Sequence, residues 1–158
     1  MPSESARASS AAEARFRIAA PNALPRRVAI VPLDAAARAL VAEVAALGWR
    51  QGLFVGLEAG QDWLAELPGR TRALVEAIEA ASLVVLVATA GTDAQAAGMV
   101  AEAAAARRRM VAAVLIDPGE ADAAARENSL AALRPHAGML VVAEDADYLA
   151  AMLQALRA

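Results

Sequence analysis

The sequence predicts an α/β fold, a three-layer α/β/α sandwich around a mainly parallel five-stranded sheet, and three observations lead there. Two continuous apolar runs, Ser82–Thr89 and Met110–Asp117, have the length of strands. Neither alternates polar with apolar residues, so both faces of each need cover, which is the condition of a strand inside a parallel sheet. Between them lies an alanine-rich stretch of helix length that opens on Ala90-Gly91-Thr92-Asp93, giving the strand–turn–helix–strand succession that joins parallel neighbours.

Taken in order, residues 1–25 mix Ser, Ala, Arg and Glu without sustained periodicity and read as a mobile tail, with a short edge segment at Arg15–Ile18. Residues 26–158 read as one domain. Val28–Pro32 is its first strand, and Asp34 caps a helix whose apolar stripe is Ala37, Leu40, Val41, Val44 and Leu47. Gly48 is placed to end that helix. Gln51–Gly56 reads as a short second strand, and a polar excursion over Glu58–Gly69 carries Trp63. Arg70–Ala80 is predicted as a helix with Leu74, Val75 and Ile78 inward, delivering the chain to the strand 82–89. The next helix spans 93–109 with Ala96, Met99, Val100 and Ala103 inward. After the strand 110–117, Asp117-Pro118-Gly119-Glu120 turns into a helix over about 121–134, with proline in its first turn, and Pro135 stops it. Gly138–Ala143 is the last strand, and Asp145 begins a helix with Leu149, Met152, Leu153 and Leu156 on one face. Strands alternating with helices in this way give a Rossmann-like sandwich of expected order 2-1-3-4-5, with the switch point between the first and third strands. Val84, Leu86, Val114 and Val141 are its expected buried strand residues.

Composition narrows the function classes. The 158 residues are 59% hydrophobic with mean hydropathy +0.41, ample for a core. No apolar run reaches the roughly 18 residues that span a bilayer, and no secretory leader is visible, so a soluble cytoplasmic protein is expected. The absence of cysteine removes thiolate nucleophiles and cysteine metal sites, and one histidine, His136, excludes a histidine-rich metal site within a chain. All 15 basic residues are arginine, yet the net charge is −3, which gives no general attraction for nucleic acid or anionic membrane. The cluster Arg107-Arg108-Arg109 sits where cations complement a helix C-terminus.

The strand-end rule for open α/β sheets places any site at the carboxyl ends of the strands. Thr89, Gly91 and Thr92 lie there, at the start of a helix whose first-turn N–H groups favour an anion, with Asp34 on the neighbouring strand exit. The competing reading is an ordinary strand-to-helix turn. Asp34, Asp93, Asp117, Glu144 and Asp145 all follow strands and suit a hard divalent cation, but Asp34, Asp93 and Asp145 suit helix caps better. No nucleophile elbow surrounds Ser82 or Ser129, His136 has no readable acid–nucleophile pair, and no lysine accompanies the acidic rim. No catalytic set, metal site or required cofactor follows. Trp49, Phe54 and Trp63 suit core packing better than a pocket. The small residues on the helices suit close contact between subunits, and a homodimer or other protein partner is expected.

Ala81-Ser-Leu-Val-Val-Leu-Val-Ala-Thr-Ala-Gly91 resembles the strand and opening of the phosphate loop of the FtsZ/tubulin family. Leu133–Leu149 resembles a later helix end, strand and loop of the same nucleotide-binding domain, and the likeness spans roughly residues 70–150. It implies a Rossmann-like nucleotide-binding scaffold. Where the family has a glycine-rich loop that brings backbone N–H groups against phosphates, this chain has Thr92-Asp-Ala-Gln-Ala-Ala-Gly98, with Asp93 opposing an anion. Pro32-Leu33-Asp34 replaces the family's first glycine cluster, and the sequence stops before the segment of the acidic GTPase loop. A degenerate site without GTPase activity is expected. The function expected is a non-catalytic interaction or weak ligand-binding module; the alternative is a small nucleotide-binding enzyme using the turn 89–93.

Overall fold

In the computed structural model, which describes residues 24–57 and 67–158, the strands β1 (Val28–Pro32), β2 (Gly52–Phe54), β3 (Leu83–Thr89), β4 (Met110–Ile116) and β5 (Met139–Ala143) form one parallel sheet. Its order is β2-β1-β3-β4-β5, as the sequence predicts. The tail before Leu24, the Arg15–Ile18 segment and Trp63 lie outside the described residues. In the centre of the sheet Leu86 stands beside Val31 on one side and Ala113 on the other. The helices are α1 (Ala35–Ala45), α2 (Leu67–Ala80), α3 (Ala96–Ala106), α4 (Ala123–Leu133) and α5 (Asp147–Ala155). A 3-10 turn, Arg134–His136, carries Pro135 and leads out of α4 towards β5.

The sheet separates two apolar layers. On one face Val84 and Leu86 of β3 and Leu115 of β4 pack with Leu74 and Ile78 of α2, Val100 of α3 and Leu133 of α4. On the other, Ile30, Val85 and Val114 pack with Val41 and Val44 of α1 and Leu149 and Leu153 of α5. Successive strand residues thus feed opposite layers, which is why β1 and β3 carry unbroken apolar runs. Trp49 and Phe54 pack against the second layer, and the Trp49 indole N–H donates to the Val44 carbonyl oxygen at 2.7 Å.

Several local expectations are corrected. Helix α3 begins at Ala96, after Asp93, and its buried side is Ala97, Val100, Ala101 and Ala104, leaving Met99 exposed. Apolar residues surround this helix, so periodicity could not fix its phase. Leu47 is exposed because α1 has already ended, and Gly48 follows in the left-handed conformation that favours glycine. Helix α2 starts three residues earlier than predicted, at Leu67, with Pro68 in its first turn where a missing N–H costs nothing. Pro118 is not in the first turn of α4: Gly119 takes a positive φ, and Asp122 caps the helix by accepting from the Ala125 N–H at 2.7 Å. Val84, Leu86 and Val114 are fully buried, whereas Val141 is only half-buried because β5 is an edge strand. Among the described residues no helix is long and apolar enough to cross a membrane.

Candidate functional site

The chain leaves β1 for α1 on one face of the sheet and leaves β3 for α3 on the other, which makes the switch point at the carboxyl ends of these adjacent strands. Asp34 stands at one exit and Thr89 at the other. The structure brings Asp34, Thr89, Gly91 and Thr92 together there.

The Asp34 side chain is buried and accepts four hydrogen bonds. Its Oδ1 receives the Ala37 N–H at 2.8 Å and the Thr89 hydroxyl at 2.7 Å. Its Oδ2 receives the Thr89 N–H at 2.8 Å and the Thr92 hydroxyl at 2.9 Å. The Thr92 proton is shared with the Thr89 carbonyl oxygen, 2.6 Å away. One carboxylate therefore caps α1 and ties the exit of β1 to that of β3. Burying a charge is costly unless its oxygens are satisfied, and here both are.

Every backbone N–H of the turn from Thr89 to Thr92 has an acceptor inside the protein. Thr89 donates to Asp34 as described, and the Ala90 N–H donates to the Ile116 carbonyl oxygen at 2.9 Å. The Gly91 N–H donates to Ser129 Oγ at 3.0 Å, and the Thr92 N–H to the Thr89 carbonyl oxygen at 3.3 Å. Ser129, buried in α4, donates in turn to the Ala125 carbonyl oxygen at 3.2 Å. Gly91 has φ +86°, a conformation that disfavours a side chain, and this aims its N–H at α4.

Three of the other rim carboxylates, Asp93, Asp117 and Asp145, are likewise engaged locally. Asp93 accepts from the Gln95 N–H and Asp145 from the Asp147 N–H, each at 2.9 Å, so both make turns just ahead of their helices and neither is the N-cap residue itself. Asp117, buried at the exit of β4, pairs with Arg126 and accepts from the Gly119 N–H at 2.9 Å. The Arg126 hydrogen bond, with help from Gly119, holds its carboxyl below the ordinary range against the opposing effect of burial. Among the described residues, no three acidic or histidine side chains are grouped so as to hold a metal ion. His136 lies in the 3-10 turn against α3, where its ring faces Gly98.

No protein-family model matches this chain, and no curated protein matches it.

The basic cluster before β4 binds helix ends. The Arg107 side chain pairs with Glu79 at 3.0 Å and donates to the Ala103 carbonyl oxygen at 3.1 Å, while Arg109 donates to the Glu79 carbonyl oxygen at 2.8 Å. These arginines serve the C-terminal ends of α3 and α2. Ser129, Ala37 and Arg126 were not legible as members of the rim network. Ser129 meets Gly91 across 38 positions of sequence, and nothing local to a serine inside an alanine-rich helix signals that contact.

Proposed function

We propose that this chain is a non-catalytic, Rossmann-like module that works by protein association, and that its likeness to the FtsZ/tubulin nucleotide domain is one of scaffold without nucleotide chemistry. The observation that carries the reading is the closed turn: the N–H groups from Thr89 to Thr92 and both oxygens of Asp34 are committed to one another and to α1, β4 and α4. A phosphate needs uncommitted donors and tolerates no carboxylate among them. Binding one here means breaking several satisfied bonds and bringing an anion to Asp34. Exposed apolar side chains at the opposite corner of the sheet, Met110 and Met139 of the strands and Tyr148 of α5, favour association as the remaining use of the surface.

Calorimetric titration with GTP, ATP, NAD and a flavin, each with and without magnesium, tests the reading. Weak or absent heats are expected from all four. Stoichiometric, saturable binding of any of them that is lost on Gly91→Val would overturn the reading and establish a nucleotide-binding protein that uses the turn 89–93.

A further inference from the structure

We infer that β5 is a self-association edge, and that its partner is a second copy of this chain, paired antiparallel across a twofold axis at Val141. The inference rests on the association reading above and gives it a surface and a partner. The two edges of the sheet differ. On one side β2 is three residues long, which leaves little backbone to pair. On the other, β5 is five residues long and reads Met-Leu-Val-Val-Ala, and among the described residues nothing pairs with its outer side. It holds no charge, no proline and no glycine, the usual protections of an edge strand. Its exposed side chains are apolar: Met139 and Val142 are 47% and 49% accessible. Met139 shares the sheet face of Ala112, and Val142 that of Leu115, so apolar surface continues past the edge on both faces.

Charge selects the second copy and the antiparallel sense. The carboxyl end of β5 runs into Glu144, Asp145 and Asp147. Its amino end is entered through Arg134, and Arg108 and Arg109 precede β4, its neighbour in the sheet. A twofold axis at Val141 sets Leu140 opposite Val142 of the other copy and Met139 opposite Ala143. It brings Glu144 and Asp145 of each copy to the Arg134–His136 turn of the other. Arg134 also pairs with Glu127 in its own chain, at a position where both side chains are more than half exposed. A parallel arrangement would set acid on acid and base on base. The antiparallel one makes a ten-stranded sheet closed by symmetry, with the β5 edge of each copy used once and β2 at both ends.

Sedimentation equilibrium of the full chain, combined with a single-cysteine cross-link, tests the inference. The protein has no cysteine, so Val141→Cys has only its own symmetry mate to join, and directly opposed residues of an antiparallel pair lie about 4.5–5.5 Å apart at Cα, within disulfide reach. The expected results are a species of twice the 16.2 kDa chain mass and rapid oxidation of Val141→Cys to a covalent dimer, with Ala36→Cys on exposed α1 as the unreactive control. Val142→Lys should raise the dimer dissociation constant about tenfold or more while leaving the thermal midpoint of the monomer unchanged. Arg134→Glu should weaken the dimer, and adding Glu144→Arg should restore it. A monomer up to several hundred micromolar, as when residues 1–23 or a different protein cover β5, overturns the inference. So does a dimer that ignores Val142→Lys. Either result leaves the association reading standing, whereas stoichiometric nucleotide binding would remove that reading whatever the oligomeric state.

Discussion

Replacing Asp34 by alanine removes the acceptor of four hydrogen bonds in one step, and the structure says which losses can be repaired. The Thr92 hydroxyl keeps the Thr89 carbonyl oxygen at 2.6 Å, and the Thr89 hydroxyl can turn towards Thr92 Oγ1 at 3.4 Å. The N–H groups of Ala37 and Thr89 have no such second acceptor. Losing the α1 cap costs about 0.5–2 kcal/mol, and stranding the Thr89 N–H beside the sheet costs about 1–3 kcal/mol. The sum predicts a loss of about 1.5–5 kcal/mol, reduced towards its lower end by water reaching the half-buried threonines. Asp34→Asn keeps one oxygen for the Ala37 N–H but turns its amide towards another donor. It should fall between the parent and the alanine variant, because relief from burying the charge offsets part of the lost Thr89 bond. Urea unfolding, extrapolated to water at constant m, reads both values. If Asp34→Ala lies within about 0.5 kcal/mol of the parent, the carboxylate does not hold the two strand exits together.

Leu86→Ala, at a fully buried site in the central strand, should cost about 2–5 kcal/mol by urea unfolding. Gly98→Ala should stabilise by about 0.5–1 kcal/mol, since glycine weakens α3 and an added Cβ meets the His136 ring at 3.4 Å, an ordinary contact; a loss would show that the 3-10 turn cannot accommodate it. The lowered Asp117 titration makes a signed prediction. A group whose folded pKa is depressed contributes stability above its unfolded value, and that contribution disappears as pH falls through the folded one. The unfolding midpoint of the parent should therefore exceed that of Asp117→Asn at neutral pH, and the gap should close as the pH drops below about 4. A gap that persists unchanged into acid would refute the Arg126–Asp117 assignment.

The strand order and the burial of β3 and β4 were legible because a strand covered on both faces leaves a local signature, an unbroken apolar run between turn residues. Val141 shows the limit of that signature: the order 2-1-3-4-5 already puts the last strand at the edge, yet the apolar run Met-Leu-Val-Val-Ala does not report how much cover an edge strand loses, and Val141 is only half-buried. Met99 and Leu47 show another, since alanine-rich helices offer apolar residues at every phase. The site residues Asp34, Thr89, Gly91 and Thr92 were legible one by one from the strand-end rule. Their mutual satisfaction was not, because Asp34 meets Thr89 across 55 positions and Thr92 across 58. A cap and a site use the same residue types at the same place, and long-range hydrogen bonds are what tell the two apart.

The most direct test of the closed turn is to follow the backbone amide resonances of Thr89, Ala90, Gly91 and Thr92 by NMR while GTP, and separately inorganic phosphate, is added. Groups already donating to Asp34, Ile116, Ser129 and Thr89 should stay in place, with slow hydrogen exchange and no saturable shift. Saturable shifts concentrated on these four amides, with Asp93→Gly tightening the response, would contradict the account.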